Sequence, residues 1–410
     1  MSGLTLQHRL WRLLPAGPRR RLLGRLTALA APRIARAAPA APDGVIVAGE
    51  LSRASGLGES ARLMLRALSS LGVPNWPLDI GPLLPAHTPD LPLPHAWASD
   101  PPAGAALVLH VNPPLLPLVL ARLPHGMVRR RRVVGFWAWE LPVAPPDWRL
   151  GARFAHEAWV PSRFAAAALT PLMPGRLRVV PHPLAAEPPQ PSHLGRADFG
   201  LPDAAVVVLV SFNLASSFAR KNPLGAVAAF RAAFGARTDR ILLLKVGNPH
   251  HFPADFARLA AAVSDVANIR LETRILPRAD ALALTAASDI VLSLHRSEGF
   301  GLVPAEAMLL GKPVVATGWS GNMDFMDETS AALVRYRLVD AHDAREVYGV
   351  PGAVWAEPDV AHAADWLRQL ADDAPARRSL GMAGQSAARV RLGTAPLAEA
   401  VRALGIGAPP

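Results

Sequence analysis

Two carboxylates and a glycine turn mark the segment SLHRSEGFGLVPAEAMLLGKPVVATGWSGNMDF, residues 293–325. Seven residues separate Glu298 from Glu306, and Gly299-Phe300-Gly301 can turn the chain ahead of a helix expected from about Val303. The first N–H groups of such a helix lack intrahelical acceptors, and with the helix dipole they attract phosphate. One carboxylate before the turn and another one helical turn inside could grip hydroxyls on either side of that phosphate. The ligand that this suggests has a sugar, a diphosphate and a ribose, which is a nucleotide-sugar. Taken alone, the pair also fits an N-capping glutamate and a surface helical one.

The second segment is SFNLASSFARKNPLGAVAAF, residues 211–230. Arg220 and Lys221 stand just before a helix opened by Asn222-Pro223, with proline suited to the first helical turn. Adjacent cations there can neutralise a departing diphosphate, a task for which both the arginine fork and the lysine point charge are suited. A solvated pair of surface cations is the other reading. His110, His156, His182 and His295 lack metal-ligand spacing, so no metal site is expected. The chain has no cysteine, which excludes a disulfide framework, thiolate metal ligation and cysteine catalysis.

Strands must end where these loops begin. Gly44–Ala48, Ala105–His110, Val133–Trp137 and Glu157–Val160 read as buried strands. The first is followed by ELSRASGLGES, a glycine loop, and then by helical periodicity from Ala61 to Leu71. Strand, Gly-x-Gly loop and helix open a Rossmann-like unit, with Gly56 and Gly58 in the loop. Residues 82–102 and 142–146 are proline-rich connections. Pro181–Leu184 and the AAEPPQPSHLG that follows form a linker. Beyond it, strands are expected at 205–212, 241–246, 269–271, 290–294 and 313–317, with helices at 223–234, 255–264, 279–287, 303–310, 361–372 and 384–403. Alternation on both sides of the linker implies an α/β chain of two doubly wound parallel sheets facing a cleft. The expected divisions are a tail at 1–42, an N-terminal domain at 43–184, a C-terminal domain at 185–375 and a helical segment at 376–410.

The 410 residues carry 43 basic and 32 acidic side chains, a net charge of +11. That length exceeds a single core of up to ~250–300 residues and suits two domains. Eight arginines and no acid lie in residues 1–42, so the remainder is close to neutral. In that tail Leu6, Leu10, Leu13 and Leu14, and then Leu22, Leu23, Leu26 and Leu29, recur at helical spacing among the arginines. Arginine with leucine on short amphipathic helices suits an anionic membrane surface, and a solvated tail or a helix packed on the body remains the alternative. Arg129–Arg132 is a second basic run that could touch lipid phosphate or merely begin a strand. A near-neutral body with scattered tryptophans excludes a nucleic-acid-binding face. GLGES lacks the full Gly-x-Gly-x-x-Gly pattern of a nicotinamide enzyme.

Together, the Arg-Lys-Asn-Pro element, Asp289 before its strand, EGFG, the Glu298/Glu306 pair, GKPVVAT and GWSGNMDFM resemble the group 1 glycosyltransferases, glycosyltransferase family 4. SRASGLGESARLMLRAL resembles that family's N-terminal glycine loop, and NPP (112–114), GFWAWELP (135–142) and HEAWVPSRF (156–164) resemble a bacterial saccharide-assembly subgroup. The likeness covers about residues 44–400 and implies a GT-B fold of two Rossmann-like domains. It implies a metal-independent, retaining hexosyltransferase with no cofactor, which takes a nucleotide-diphosphate sugar as donor. The acceptor would be a saccharide or lipid-linked saccharide in surface or exopolysaccharide assembly. The protein would be cytoplasmic or peripheral on the inner face of the membrane.

Carried over, Glu298 would contact sugar hydroxyls, Glu306 the ribose, and the amides at Phe300, Gly301 and Leu302 the distal phosphate or the sugar. Arg220 and Lys221 would stabilise the departing diphosphate, and Gly56 and Gly58 would let the other domain's backbone approach it. Many members carry a Gly-Arg pair ahead of the lysine. Here Asn213 and Ser216-Ser217 occupy that region, and Arg220 takes the arginine's part. Where many members have an N-terminal-domain histidine near the donor, Glu140 is this chain's cleft residue. A non-catalytic nucleotide-sugar or glycan-binding module of the same fold is the competing reading.

Overall fold

The structure is a computed structural model that describes residues 16–84, 91 and 100–407. Its first sheet contains β1 (Val45–Gly49), β2 (Asn75–Asp79), β3 (Ala106–Leu109), β4 (Val133–Phe136), β5 (Glu157–Val160) and β6 (Leu177–Val179). All neighbours are parallel, in the order β2-β1-β3-β4-β5-β6. The second sheet contains β7 (Val206–Asn213), β8 (Arg240–Gly247), β9 (Ile269–Glu272), β10 (Ile290–Ser293), β11 (Val314–Thr317) and β12 (Ala332–Val334). It too is parallel, in the order β12-β11-β10-β7-β8-β9. Counted from its own first strand, that is the 3-2-1-4-5-6 order of a dinucleotide-binding sheet. Helices cover both faces, so β1, β3 and β4 are buried along their whole length, and their sequences are continuous apolar runs rather than alternating ones.

The elements that sequence periodicity misses are short or lie at edges. β2 contains Pro77, which a sheet tolerates only at an edge, where β2 lies. β6 and β12 have three residues each. β13 (Tyr336–Asp340) and β14 (Val354–Pro358) form an antiparallel hairpin outside both sheets. The helix after β1 begins at Gly56 rather than Ala61, because the Ser55 hydroxyl accepts the Gly58 N–H at 3.0 Å and caps it. Gly56 and Gly58 therefore form its first turn rather than a free loop. The expected 384–403 helix is two, Ala374–Arg391 and Ala395–Ala403. The second returns to the first sheet, where Leu397, Val401 and Leu404 pack with Val45 and Val47.

Of the basic amphipathic segment, the leucines at 6, 10, 13 and 14 lie outside the described residues. A helix runs over Ala16–Ala30 and packs against the Leu116–Arg122 and Trp148–Ala152 helices of the first domain. Arg131 does not face solvent: it is buried and donates to the carbonyls of Ala105 at 3.1 Å and Pro101 at 3.2 Å. Arg132 pairs with Glu157 at 3.1 Å. Among the described residues no helix is long and apolar enough to cross a membrane.

Candidate active site

Strand order in the second sheet reverses between β7 and β10, and open α/β sheets bind ligands beyond the carboxyl ends of such strands. The loop after β7 delivers Arg220 and Lys221 there, and the loop after β10 delivers Glu298. After β7 the chain makes a single helical turn, Phe218–Lys221, that ends at Asn222 in the left-handed region with φ +51°. Asn222 then does two jobs. Its Oδ1 accepts the Gly225 N–H at 3.2 Å, which caps the Pro223–Phe234 helix, and its Nδ2 donates to the Leu294 carbonyl at 3.0 Å. Ser217 (φ +70°) and Ser320 (φ +81°) also hold positive φ, so three non-glycine residues in a costly conformation border this one point.

Arg220 is 3% exposed. Its guanidinium donates to the Ser297 carbonyl at 2.8 Å, the Ser216 carbonyl at 3.0 Å and Glu298 Oε2 at 3.1 Å. Lys221 Nζ pairs with the other oxygen of the same carboxylate, Oε1. Burial acts to raise the Glu298 carboxyl, but Lys221 and Arg220 outweigh it and hold it down at about 2. Burial and the adjacent Arg220 charge push the Lys221 ammonium below the ordinary lysine range, against the pull of Glu298. Arg220 shifts upward despite burial, through Tyr348, Glu298 and Glu140. The Glu298 N–H donates to Ser320 Oγ at 2.9 Å, and its carbonyl accepts the Gly321 N–H at 2.9 Å.

Beyond Glu298, Gly301 sits at φ +104° and leads into the Leu302–Leu309 helix. That left-handed conformation favours glycine, and the helix behind it opens with no side-chain cap on its first N–H groups. The Phe300 side chain is buried in a file of rings, 4.6 Å from His182 and 5.0 Å from Phe325. His182 in turn stacks on Phe136 at 5.4 Å, and Phe136 on His110 at 4.5 Å. Burial lowers His182 to about 4, so both histidines of this file are neutral spacers between the domains.

Glu306 lies one turn into the helix and is paired with Arg278 at 2.9 Å. The same arginine reaches Glu59 of the first domain at 2.6 Å. Burial raises the Glu306 carboxyl and the nearby Glu59 charge adds to it, while Arg278 opposes both. Gly58 has no room for a side chain, since a Cβ would stand 2.5 Å from the Glu50 carbonyl and 2.7 Å from that of Arg53. Gly56 has open space and is not constrained in that way. The domains also meet where Ser162 Oγ donates to the Gly299 carbonyl at 2.6 Å and Arg163 N–H to Asp324 at 2.7 Å. Glu140 stands at the same seam: its carbonyl accepts the Ser297 hydroxyl, and its carboxylate acts on Arg220 and Lys221.

Two neighbours carried no sequence signal. Arg278 lies in an ordinary helix start, and Tyr348 lies in the hairpin between β13 and β14. Tyr348 is buried against Trp139, 5.6 Å away, with the Arg220 guanidinium 5.5 Å from its ring. Arg278 could have been sought as the partner of a buried Glu306. No spacing rule points to Tyr348.

Residues 207–373 match the sequence profile of the family described as "Glycosyl transferases group 1". A D-inositol 3-phosphate glycosyltransferase of Nocardioides sp. is 31% identical over 185 residues, which is 42% of this chain and 39% of that protein. The chain thus spans about two-fifths of the curated relative it matches. The solved structure of Anabaena HepE in complex with UDP-glucose superposes with a TM-score of 0.60 at 16% identity, covering 88% of this chain and 99% of that one. A glycosyltransferase from Rickettsia africae gives 0.57 at 14% identity, covering 88% and 96%. At such identities the likeness is one of fold, and the fold is GT-B: two Rossmann-like domains, each built on a parallel six-stranded sheet.

Proposed function

We propose that the protein is a glycosyltransferase that moves a hexosyl group from a nucleotide-diphosphate sugar to a saccharide or lipid-linked saccharide acceptor. The observation that carries this reading is the convergence of Arg220, Lys221 and Glu298 at the β7–β10 junction, directly ahead of a glycine-turned helix N-terminus. One carboxylate holds a buried arginine and a half-buried lysine where an incoming diphosphate would compete for them. Arg220 and Lys221 then stabilise the charge that develops on the leaving group, which is the preorganised electrostatic work that dominates many transfers. The amides of Phe300, Gly301 and Leu302 receive the distal phosphate, Glu298 the sugar hydroxyls and Glu306 the ribose. Gly56 and Gly58 bring the first domain's backbone close, and Glu140 lines the seam.

Fixed cations at the diphosphate do the work that a metal would otherwise do, and no cofactor enters the scheme. Transfer proceeds with retention. The bond from the anomeric carbon to the diphosphate oxygen breaks, and the acceptor oxygen bonds to the same face of that carbon. The acceptor's proton passes to the departing phosphate oxygen. Surface or exopolysaccharide assembly in the cytoplasm is the process this reading favours.

A thermal-shift panel of UDP-, GDP- and TDP-sugars tests it, starting with UDP-glucose. A donor at about 100 times its Kd adds roughly 2.7 kcal/mol and so raises Tm by several degrees. Silence across the whole panel would sink the proposal. Stabilisation without donor turnover would instead indicate a binding module.

Peripheral association with an anionic membrane through residues 1–42 belongs to the same reading. Vesicle binding by chains with and without residues 1–36 measures it, and equal binding by both would remove it.

A further inference from the structure

A cavity of about 860 Å³ lies between the N-terminal segment and the first domain, at residues 25–38, 150–156 and 176. Five arginines line it: Arg25, Arg33, Arg36, Arg153 and Arg176. The lining contains no carboxylate, and among the described residues none of the five has an acidic side chain within ion-pair distance. Between the arginines the wall is apolar, formed by Leu29, Ile34, Leu150 and Phe154. Five cations around an apolar hollow repel one another unless an anion joins them.

The wall is built rather than draped. Ala31 and Pro32 are buried, and the Ala41 N–H donates to the Leu404 carbonyl at 2.9 Å. His156 pins the middle of the segment: its Nδ1 accepts the Val133 N–H at 2.9 Å, which leaves Nε2–H to donate to the Ala35 carbonyl at 3.0 Å. On the Ala16–Ala30 helix, which contributes Arg25 and Leu29 to the lining, Leu22, Leu26 and Leu29 form one stripe at i, i+4 and i+7, exposed by 41%, 52% and 83%. The helix packs on the helices beneath it, and among the described residues nothing covers the stripe.

We infer that this cavity binds the phosphate headgroup of an anionic lipid, with the leucine stripe lying in the acyl layer beside it. The arginines supply forked donors for phosphate, and the apolar wall and stripe match the chain that a free phosphate lacks. Its place in the fold separates the site from the chemistry. His156 and Arg176 stand at the amino ends of β5 and β6, whereas Ser162, at the carboxyl end of β5, meets the second domain. A strand of four residues spans about 13 Å, so a lipid held here lies a sheet's length from Glu298. It fastens the protein to the leaflet and is not the acceptor.

Co-sedimentation of the full chain with phosphatidylcholine vesicles, with and without phosphatidylglycerol, tests this without any assay of transfer. Binding is expected only with phosphatidylglycerol. The Arg153→Glu/Arg176→Glu variant alters two exposed arginines outside the N-terminal segment and should bind at least about tenfold more weakly. Arg153→Gln/Arg176→Gln should show a smaller loss while keeping the wild-type melting temperature. Deletion of residues 1–15 should leave binding within about twofold of wild type, since the cavity and the stripe lie beyond it. Undiminished binding by the double charge reversal would overturn the proposal. So would loss of binding on deletion of residues 1–15 alone, which would make that segment the membrane contact. Release from vesicles by millimolar inorganic phosphate would mark a free-anion site and overturn it as well.

Discussion

Glu298→Ala should lower the melting temperature of the protein by on the order of 10 °C, corresponding to about 3–5 kcal/mol. The cost comes less from the lost carboxylate than from what it leaves behind. Arg220 is almost wholly buried, its Nε has no hydrogen-bond partner among the described residues, and Glu298 supplies its ionic partner within the cluster. Truncating one member of a buried pair strands the other charge in a medium that solvates it poorly. Glu298→Gln keeps the shape and one hydrogen-bonding oxygen, so it should cost less than alanine but still destabilise.

The pH dependence has a definite sign. The Glu298 carboxyl titrates at about 2 in the fold against an ordinary value of 4.5. A carboxyl depressed on folding contributes stability that is fully present above its unfolded pKa and is lost as pH falls toward the folded one. A displacement of that size corresponds to roughly 3 kcal/mol. The stability gap between wild type and Glu298→Gln should therefore be flat above about pH 5 and close progressively toward pH 2. Urea unfolding of both proteins across that range measures it. A gap that stays constant down to pH 3 would show that the carboxylate is not clamped by Arg220 and Lys221.

Lys221→Ala should act on rate rather than on stability. Glu298 retains Arg220 when Lys221 is removed, and Lys221 is the less buried of the two cations, at 20% side-chain exposure against 3%. The fold should survive with a loss of about 1 kcal/mol, in the range for a partly exposed ion pair. Transfer from the donor that the thermal-shift panel selects should fall by about 10²–10³-fold in kcat, the usual cost of deleting one preorganised donor at a developing charge. The donor's KM should change far less, because the charge grows as the diphosphate departs. Lys221→Met separates the charge from the volume of the side chain and should match alanine in rate. Turnover within about threefold of wild type would remove Lys221 from the chemistry.

The fold was largely legible because its strands are buried on both faces. VVVLV at 206–210 and ILLL at 241–244 are apolar without alternation, and helical periodicity separates such runs, so a parallel doubly wound chain follows from local pattern alone. The site was legible in part for the same local reason. A glycine turn before a helix and a proline opening a helix after two cations are statements about a few consecutive residues: Gly301 holds a left-handed φ ahead of Leu302–Leu309, and Pro223 opens the Pro223–Phe234 helix. The N-terminal boundary was read less well. Ser55 starts its helix before the apolar periodicity does, because capping is set by one hydroxyl rather than by a repeat.

What a chain places next to what is decided by strand order and crossovers, which local spacing does not encode. Lys221 and Glu298 are 77 residues apart and meet only because β7 and β10 are neighbours at the reversal of the sheet. Arg278 pairs with Glu306 and also reaches Glu59, 219 residues before it in sequence, and Tyr348 arrives from a hairpin that belongs to neither sheet. The basic N-terminal segment shows the same division. Composition alone determined that it is cationic and leucine-rich. Only the packing of residues 31–41 against the first domain turned its arginines and those of residues 153 and 176 into one cavity, at the pole away from Arg220 and Lys221.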